Sequence, residues 1–448
     1  MNAVSKAQSI TFAKYDVQWE TGDIYFHYSI ARAEGAVEFC ERWHIDDIIS
    51  TDHVPKANLQ AILRALHLLV GISYYKMYCP PTIYLTDYSL SLDEANFWNA
   101  LYTKGLGEFF YKNEIEYKNL VRFPYDSNRV ASHLEALDYM HEKALVLHGG
   151  GKDSIVSAEI VASSPVPFDL FVLNPTTIHR NVAQVMEKKA ISIIRTIDSK
   201  VKTLNASDTV FNGHVPISAI YSFAAILMAL LKGYRYVIIS SERSSNYGNV
   251  SYLGEQINHQ WSKSQEAEDM IRQYITNYIA PEIKYFSLLR PFYEIAVAKK
   301  FAKLSKYFST FSSSNHHFKI EQNDHKQRWD FASPKTLFVF AMLSAFIPKN
   351  EMMQIFEDNL YMHNELCEKF KELLGLHNVK PFECVGTPEE TMVAMWRAHE
   401  SGEYADTPIM KMFEQEVVNK RLAFAQMEKE VLSYGDDSRI PDIFRTLL

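Results

Sequence analysis

Six consecutive residues, Gly149-Gly150-Gly151-Lys152-Asp153-Ser154, carry the most direct chemical signal in the chain. Glycines lack Cβ, so the backbone can close on an anion, and free N–H groups at a helix start favour phosphate oxygens. The spacing is neither G-x-x-x-x-G-K-[ST] nor G-x-G-x-x-G. The run therefore predicts a distinct cradle for nucleotide phosphates. A second group of ionisable residues falls in two polar segments that read as functional loops. Glu242, His259 and Lys263 fall in the polar stretch 241–268, and Cys384 lies in the island Lys380-Pro381-Phe382-Glu383-Cys384-Val385-Gly386. Histidine suits a base near neutral pH. The capping box Thr387-Pro388-Glu389-Glu390 opens a helix directly after that island,. A helix N-terminus beside a lysine and a cysteine can hold a carboxylate or lower a thiol pKa.

These residues need elements to hold them. The apolar run Ala144–His148 precedes the glycines and Ile155–Val161 follows them, which reads as strand, turn and helix. From about 143 to 243 the pattern alternates. Strands are expected at Ala144–His148, Phe168–Leu173, Lys200–Leu204 and Tyr234–Ser240, and helices near 153–163, 180–197 and 215–232. Such alternation indicates a parallel, doubly wound sheet, whose ligands bind at the strands' carboxyl ends. Those ends are the glycine run, Asn174-Pro175-Thr176, Asn205-Ala206-Ser207-Asp208 and Ser241-Glu242-Arg243-Ser244. The fold class is α/β, in three parts. Residues 1–140 form a mixed α+β domain, 141–345 the nucleotide-binding domain, and 346–448 a helical region contributing a site loop. Asn58–Met77 carries a helical apolar stripe, and Gly105–Asn113 reads as a turn on the core or a site loop,.

Composition narrows the classes. With 47% hydrophobic and 22% charged residues the 448-residue chain is ordinary for a globular protein of two or three domains,. A net charge of −8 gives no global case for nucleic acid or an anionic membrane,. Cys40, Cys79, Cys367 and Cys384 are far apart, which argues against a disulfide framework or zinc cluster and fits a reducing cytoplasm,. Met1–Gln18 lacks the apolar core of a signal peptide,. Ile217–Leu231 is too short to span a membrane and predicts a buried helix,.

The glycine run resembles the S-G-G-x-D-S loop of the ATP pyrophosphatase (PP-loop) superfamily, with Gly149 where serine is usual. That resemblance implies an adenine nucleotide alpha hydrolase-like sheet. Four segments together are narrower: the glycine run, Asn246-Tyr247-Gly248-Asn249 with Asn258–Ser264, Gly105-Leu106-Gly107-Glu108-Phe109, and Lys380–Gly386. They resemble the UDP-N-acetylmuramoyl-L-alanyl-L-glutamate epimerases, the MurL family, over nearly the whole chain. Members would convert the terminal L-Glu of the peptidoglycan precursor UDP-MurNAc-L-Ala-L-Glu to D-Glu with ATP and Mg²⁺.

The resemblance implies roles. Gly149, Gly150, Gly151 and Ser154 would cradle the leaving pyrophosphate, Lys152 neutralise phosphate charge, and Asp153 position Mg²⁺,. Asn174 stands where superfamily members hold the adenosine. Proton-transfer candidates are His259, Lys263, Cys384 and Glu242; substrate-binding candidates are Asn246, Asn249, Asn258 and Lys380. Residues 1–140 are candidates for holding the UDP-sugar end. Related deazaguanine-type proteins carry a zinc-binding cysteine cluster, but the corresponding stretch from Ser312 to Thr336 has no cysteine. Asp330, His316 and His317 are left there as possible ligands of another metal. Two other readings exist. A tRNA- or base-modifying or carboxylate-amidating PP-loop enzyme is one, which the acidic balance disfavours where RNA is the substrate. The other is a regulatory nucleotide-binding module without turnover, which would not need Lys152, Asp153 and Ser154.

Overall fold

The computed structural model describes residues 6–46, 50–129, 134–207, 209–314, 328–377, 379–420 and 422–448. Strands in chain order are β1 (Ala7–Gln18), β2 (Asp23–Arg32), β3 (Val37–Ile45), β4 (Thr82–Leu85), β5 (His141–Leu147), β6 (Phe168–Leu173), β7 (Ala190–Thr196), β8 (Tyr234–Ile239), β9 (Val250–Tyr252), β10 (Glu255–Ile257) and β11 (Lys284–Ser287). Among the described residues nine of them form one sheet, ordered β11-β8-β5-β6-β7-β3-β2-β1-β4, while β9 and β10 make a separate hairpin. The fold is mixed α/β with a large central sheet and many helices.

Strands β11, β8, β5, β6 and β7 pair in parallel. Antiparallel β3, β2 and β1 extend the sheet beyond β7, and β4 closes that edge parallel to β1. The chain therefore runs outward from β5 through β6 and β7, then returns to the other side of β5 with β8 and β11. Reversal of direction leaves a crevice at the carboxyl ends of β5 and β8. The glycine run follows β5, and Ser241-Glu242 follows β8.

Side-chain alternation builds two cores. Ala144 and Val146 of β5 with Tyr236 and Ile238 of β8 face one, and Leu145 with Val237 and Ile239 face the other. Helices Lys152–Ala162, Thr177–Met186, Glu294–Phe301 and Pro334–Ser344 cover the first face; Lys56–Val70 and Ile217–Lys232 cover the second. Strands buried on both faces read as near-continuous apolar runs, as Ala144–Leu147 and Tyr236–Ile239 do,. The apolar segment Ile217–Leu231 is the buried helix expected of it, closed by Gly233 at φ +70°. No helix among the described residues is long and apolar enough to cross a membrane.

The region 180–204 departs from expectation. In place of one helix over 180–197, a helix Thr177–Met186 ends at Glu187 (φ +55°) and β7 follows. The window joins two periods: His179, Val182, Ala183 and Met186 are a helical face, whereas Ile191, Ile193 and Arg195 are buried at every second position,. Strand β7 then gains partners on both sides, β6 and β3. In place of a strand at Lys200–Leu204 there is a short helix Lys200–Asn205 with exposed lysines. Asn205-Ala206-Ser207 therefore ends a helix rather than a strand, and Asp208 lies outside the described residues. Gly105–Asn113 is likewise helical, Leu92–Gly105 followed by Gly107–Lys112.

Candidate functional site

The glycine turn is shaped by its neighbours. Gly150 sits at φ +72°, and a Cβ there would lie 2.7 Å from Cγ2 of Ile178,. A Cβ at Gly151 would lie 2.9 Å from Oγ of Ser313, while Gly149 faces open space. The Ser312 amide donates to the Gly150 carbonyl at 3.2 Å, so the serine run walls one side. Gly151 caps the helix Lys152–Ala162 with no side-chain hydrogen bond. An eleven-residue helix thus presents its N-terminal dipole to an open glycine,. Ser154 Oγ donates to the Gly151 carbonyl at 3.0 Å and lies 3.3 Å from His148 Nδ1. Ser313 Oγ is buried without a partner. Asn174 (φ +55°) bridges to β7, its Oδ1 accepting from the Arg195 amide at 2.6 Å.

Behind the turn lies a buried charge cluster. Lys152 pairs with both Asp153 and Glu294, and Lys335 Nζ lies 3.1 Å from Glu294 Oε1. The Glu294 amide donates to Ser244 Oγ at 3.1 Å, which fixes this helix start against the β8 loop. Burial opposes the charge on Glu294, but Lys152 and Lys335 overcome it and hold the carboxyl well below the usual range,. Asp153 is instead pushed up by burial and by Glu294. Glu242, 5% exposed, is pushed up to about 7 by burial first and Glu294 next. These carboxylates share one field, and their lysines already balance part of the charge. Asp153 stands in the first turn of the helix below the open glycine and pairs with Lys152.

The second half of the site is a clamped thiol. Lys263 Nζ donates to Cys384 Sγ at 3.2 Å, and His259 also hydrogen-bonds that sulfur. The other ring nitrogen of His259 pairs with Glu108, which lies 3.5 Å from His214 Nδ1 and also holds Lys112. Burial pushes the Cys384 thiol up, but Lys263 and His259 bring it down to about 6,. Burial pushes His259 down, but Cys384 and Glu108 raise it to about 9. Along Glu108, His259, Cys384 and Lys263 the shifts favour the charged form of each group beside its opposite. Ligand-capable atoms of Glu108, His214 and His259 all lie within 4.8 Å of one another. The Glu108–His259 ion pair accounts for that closeness.

The loops carrying these groups are pinned by polar contacts. Arg290 pairs with Glu268 and donates to the carbonyls of Glu242 and Lys263, each at 2.7 Å. One buried guanidinium thereby fixes the backbone of two site residues. Asn249 Oδ1 accepts from the His259 amide at 2.8 Å, and its Nδ2 donates to the Pro381 carbonyl at 2.8 Å. It ties the histidine loop to the cysteine island. Asn258 donates to the Ser245 carbonyl at 2.8 Å, and exposed Asn246 accepts from the Gln265 amide at 2.8 Å. The stretch 241–268 is thus organised by β9, β10 and two 3₁₀ turns. The capping box at Thr387–Glu390 forms as expected, and Glu390 Oε1 additionally accepts from the Ile295 amide at 3.1 Å.

Four partners lay outside the candidate residues of the sequence reading. Glu108 falls inside the glycine-paired segment 105–113, and Lys335 and Ser313 fall inside the stretch compared with the cysteine-bearing relatives. Glu294 had no local signal. Asp330 Oδ1 caps the Ala332 amide at 3.0 Å, while His316 and His317 lie outside the described residues.

Fold and site define a mixed α/β protein with a buried ionic site at the carboxyl ends of its parallel strands. Residues 1–288 match the MurL N-terminal domain and residues 310–428 the MurL C-terminal domain. The chain belongs to the MurL family. It is 35% identical to a UDP-N-acetyl-alpha-D-muramoyl-L-alanyl-L-glutamate epimerase of Xanthomonas oryzae pv. oryzae, over 80% of this chain and 79% of that one. Proteins of the same name from Micromonospora sp. and Salinispora tropica are 32% and 33% identical. Those alignments cover 97% and 90% of this chain and 96% and 88% of the relatives.

Proposed function

We propose that this chain epimerises the terminal L-Glu of UDP-MurNAc-L-Ala-L-Glu to D-Glu with consumption of ATP, as a step of peptidoglycan precursor synthesis. The carrying observation is the Cys384 sulfur clamped by the Lys263 ammonium at 3.2 Å, with Lys335, which pairs with Glu294 beside the glycine turn, also acting on it. The names of the curated relatives support the substrate. The resemblance of the turn to PP-loops supports the nucleotide.

The chemistry requires activation. The glutamate nitrogen is an amide, so an imine with a pyridoxal cofactor cannot form. The α-carboxylate is anionic, which makes the α-proton hard to remove. One carboxylate oxygen attacks the α-phosphorus of ATP and pyrophosphate leaves. The resulting acyl phosphate is electron-poor, and the neighbouring C–H becomes acidic. Gly149–Gly151 and the free helix end would receive the pyrophosphate oxygens, with Lys152 neutralising charge and Asp153 sharing Mg²⁺. Cys384, a thiolate at neutral pH, takes the α-proton,. Glu242 is in part protonated at neutral pH and can return a proton to the opposite face. Water then cleaves the acyl–phosphate bond, freeing AMP and the D-product. His259 and Lys263 hold the thiolate charge, and Glu108 holds His259.

The test is incubation with ATP, Mg²⁺ and UDP-MurNAc-L-Ala-L-Glu, followed by quantification of AMP and of glutamate chirality. AMP with D-Glu is expected. His259→Ala stops inversion while AMP formation continues, and Asp153→Ala stops both. AMP formation by Asp153→Ala would refute the phosphate-site assignment. Substrate-dependent AMP with L-Glu unchanged in the wild type would refute the epimerase.

A further inference from the structure

The loop that carries the thiol also carries a cation without a hydrogen-bond partner. Lys380 is 8% exposed, yet its Nζ is buried without a hydrogen-bond partner. It is the only lysine ammonium so placed among the described residues. A buried ammonium with no partner costs stability that the fold has no reason to bear unless a ligand supplies the anion. The cavity beside it, about 460 Å³, is also lined by Tyr247, Asn249, Ser251, Gln256 and His377. Nζ stands 5.2 Å from the Tyr247 ring centroid. Asn249 joins this wall to the His259 loop through its bonds to the His259 amide and Pro381 carbonyl.

We infer that Lys380 is the specificity residue for the substrate's terminal amino acid, its ammonium receiving the γ-carboxylate of the glutamate being inverted. This rests on the epimerase reading. Only the α-carboxylate adjoins the stereocentre, so the second carboxylate is free to be recognised. It lies two methylenes away, ~4 Å from Cα by bond lengths. Lys380 and Cys384 lie on one loop within electrostatic reach of one another, so one bound residue can face both. One ammonium matches one carboxylate in charge. A diphosphate would carry more negative charge than this wall offsets, since Lys380 is its one lysine or arginine and His377 pairs with Glu368 at 3.3 Å. The groups acting on Lys380 are Glu390, Glu242 and Cys384, which favour its charge, and Lys335, which opposes it. Burial outweighs them and lowers the ammonium to about 8. Affinity for the glutamyl substrate accordingly falls as pH rises through about 8.

The test compares wild type, Lys380→Met and Lys380→Arg on three substrates: UDP-MurNAc-L-Ala-L-Glu, its L-Gln analogue, and MurNAc-L-Ala-L-Glu lacking the nucleotide. Lys380→Met should lose on the order of 100-fold in kcat/KM on both glutamyl substrates and little on the glutaminyl one. Lys380→Arg should keep the preference for Glu. Free of the unpaired charge, Lys380→Met should melt at or above the wild-type temperature. Equal losses on Glu and Gln overturn the inference. A loss confined to the nucleotide-bearing substrates overturns it in favour of a phosphate contact. A variant melting well below wild type overturns it in favour of a structural lysine. Wild-type inversion with unchanged Glu-over-Gln preference in Lys380→Met sinks this inference alone. Absence of wild-type inversion sinks the epimerase reading and this inference with it.

Discussion

Replacing Lys263 by methionine should convert Cys384 from a thiolate into a thiol at neutral pH. The ammonium stands 3.2 Å from the sulfur. Two unit charges at that distance attract by ~5 kcal/mol at an effective dielectric of about 20. That attraction corresponds to roughly 4 pKa units, an upper bound once water and rearrangement relieve the loss. The thiol of the intact site is brought down to about 6 against the push of burial. A rise of about 3 units would leave ~3% thiolate at about pH 7.5, where the intact site has nearly all of it. The assay is the pH dependence of iodoacetamide alkylation, read at the Cys384 peptide by mass spectrometry. The other cysteines do not interfere: burial raises Cys40 and Cys367 and pushes Cys79 up to about 12. Alkylation of Cys384 near neutral pH should slow roughly 30-fold in the variant and recover as pH rises. A wild-type midpoint like that of a free thiol would refute the reasoning. So would a midpoint that Lys263→Met leaves in place.

Further consequences follow from the same charges. The thiolate is lost as pH falls through about 6, and the Glu242 proton is lost as pH rises through about 7. Inversion should therefore peak between those values, measured as kcat/KM for chirality change against pH. Glu242→Gln should stop inversion yet still exchange the α-proton, so deuterium from heavy water appears in L-Glu; absence of that label would remove Glu242 from the role of acid. Gly150→Ala places a Cβ 2.7 Å from Ile178 at φ +72°, so it should cost about 1–3 kcal/mol in a thermal or urea melt and weaken ATP-dependent AMP formation,. An unchanged melt would show that the turn relaxes freely.

Much of the architecture was legible because it is local. The run Ala144–Leu147, three glycines and an apolar helix form one strand–turn–helix whichever residues surround it. The buried helix at Ile217 and the capping box at Thr387 are equally self-contained. Region 180–204 was misread because its periods change within a few residues. Pairing with β3, which comes from about 150 positions earlier, is part of what makes Ala190–Thr196 a strand. No window around that segment contains its partner.

The sequence by itself determined the α/β pattern, the glycine turn at the end of a strand, and the candidate groups on two polar segments. Only the tertiary structure decided their states. Cys384 meets Lys263 from 121 positions away, His259 meets Glu108 across 151, and Lys152 meets Glu294 across 142. A turn is set by the dihedral freedom and hydrogen bonds of adjacent residues, which sequence order records. A pKa is set by burial and by charges a few ångströms away through space, which sequence order does not. The thiolate, the part-protonated Glu242 and the unpartnered Lys380 therefore belong to the fold rather than to any motif,.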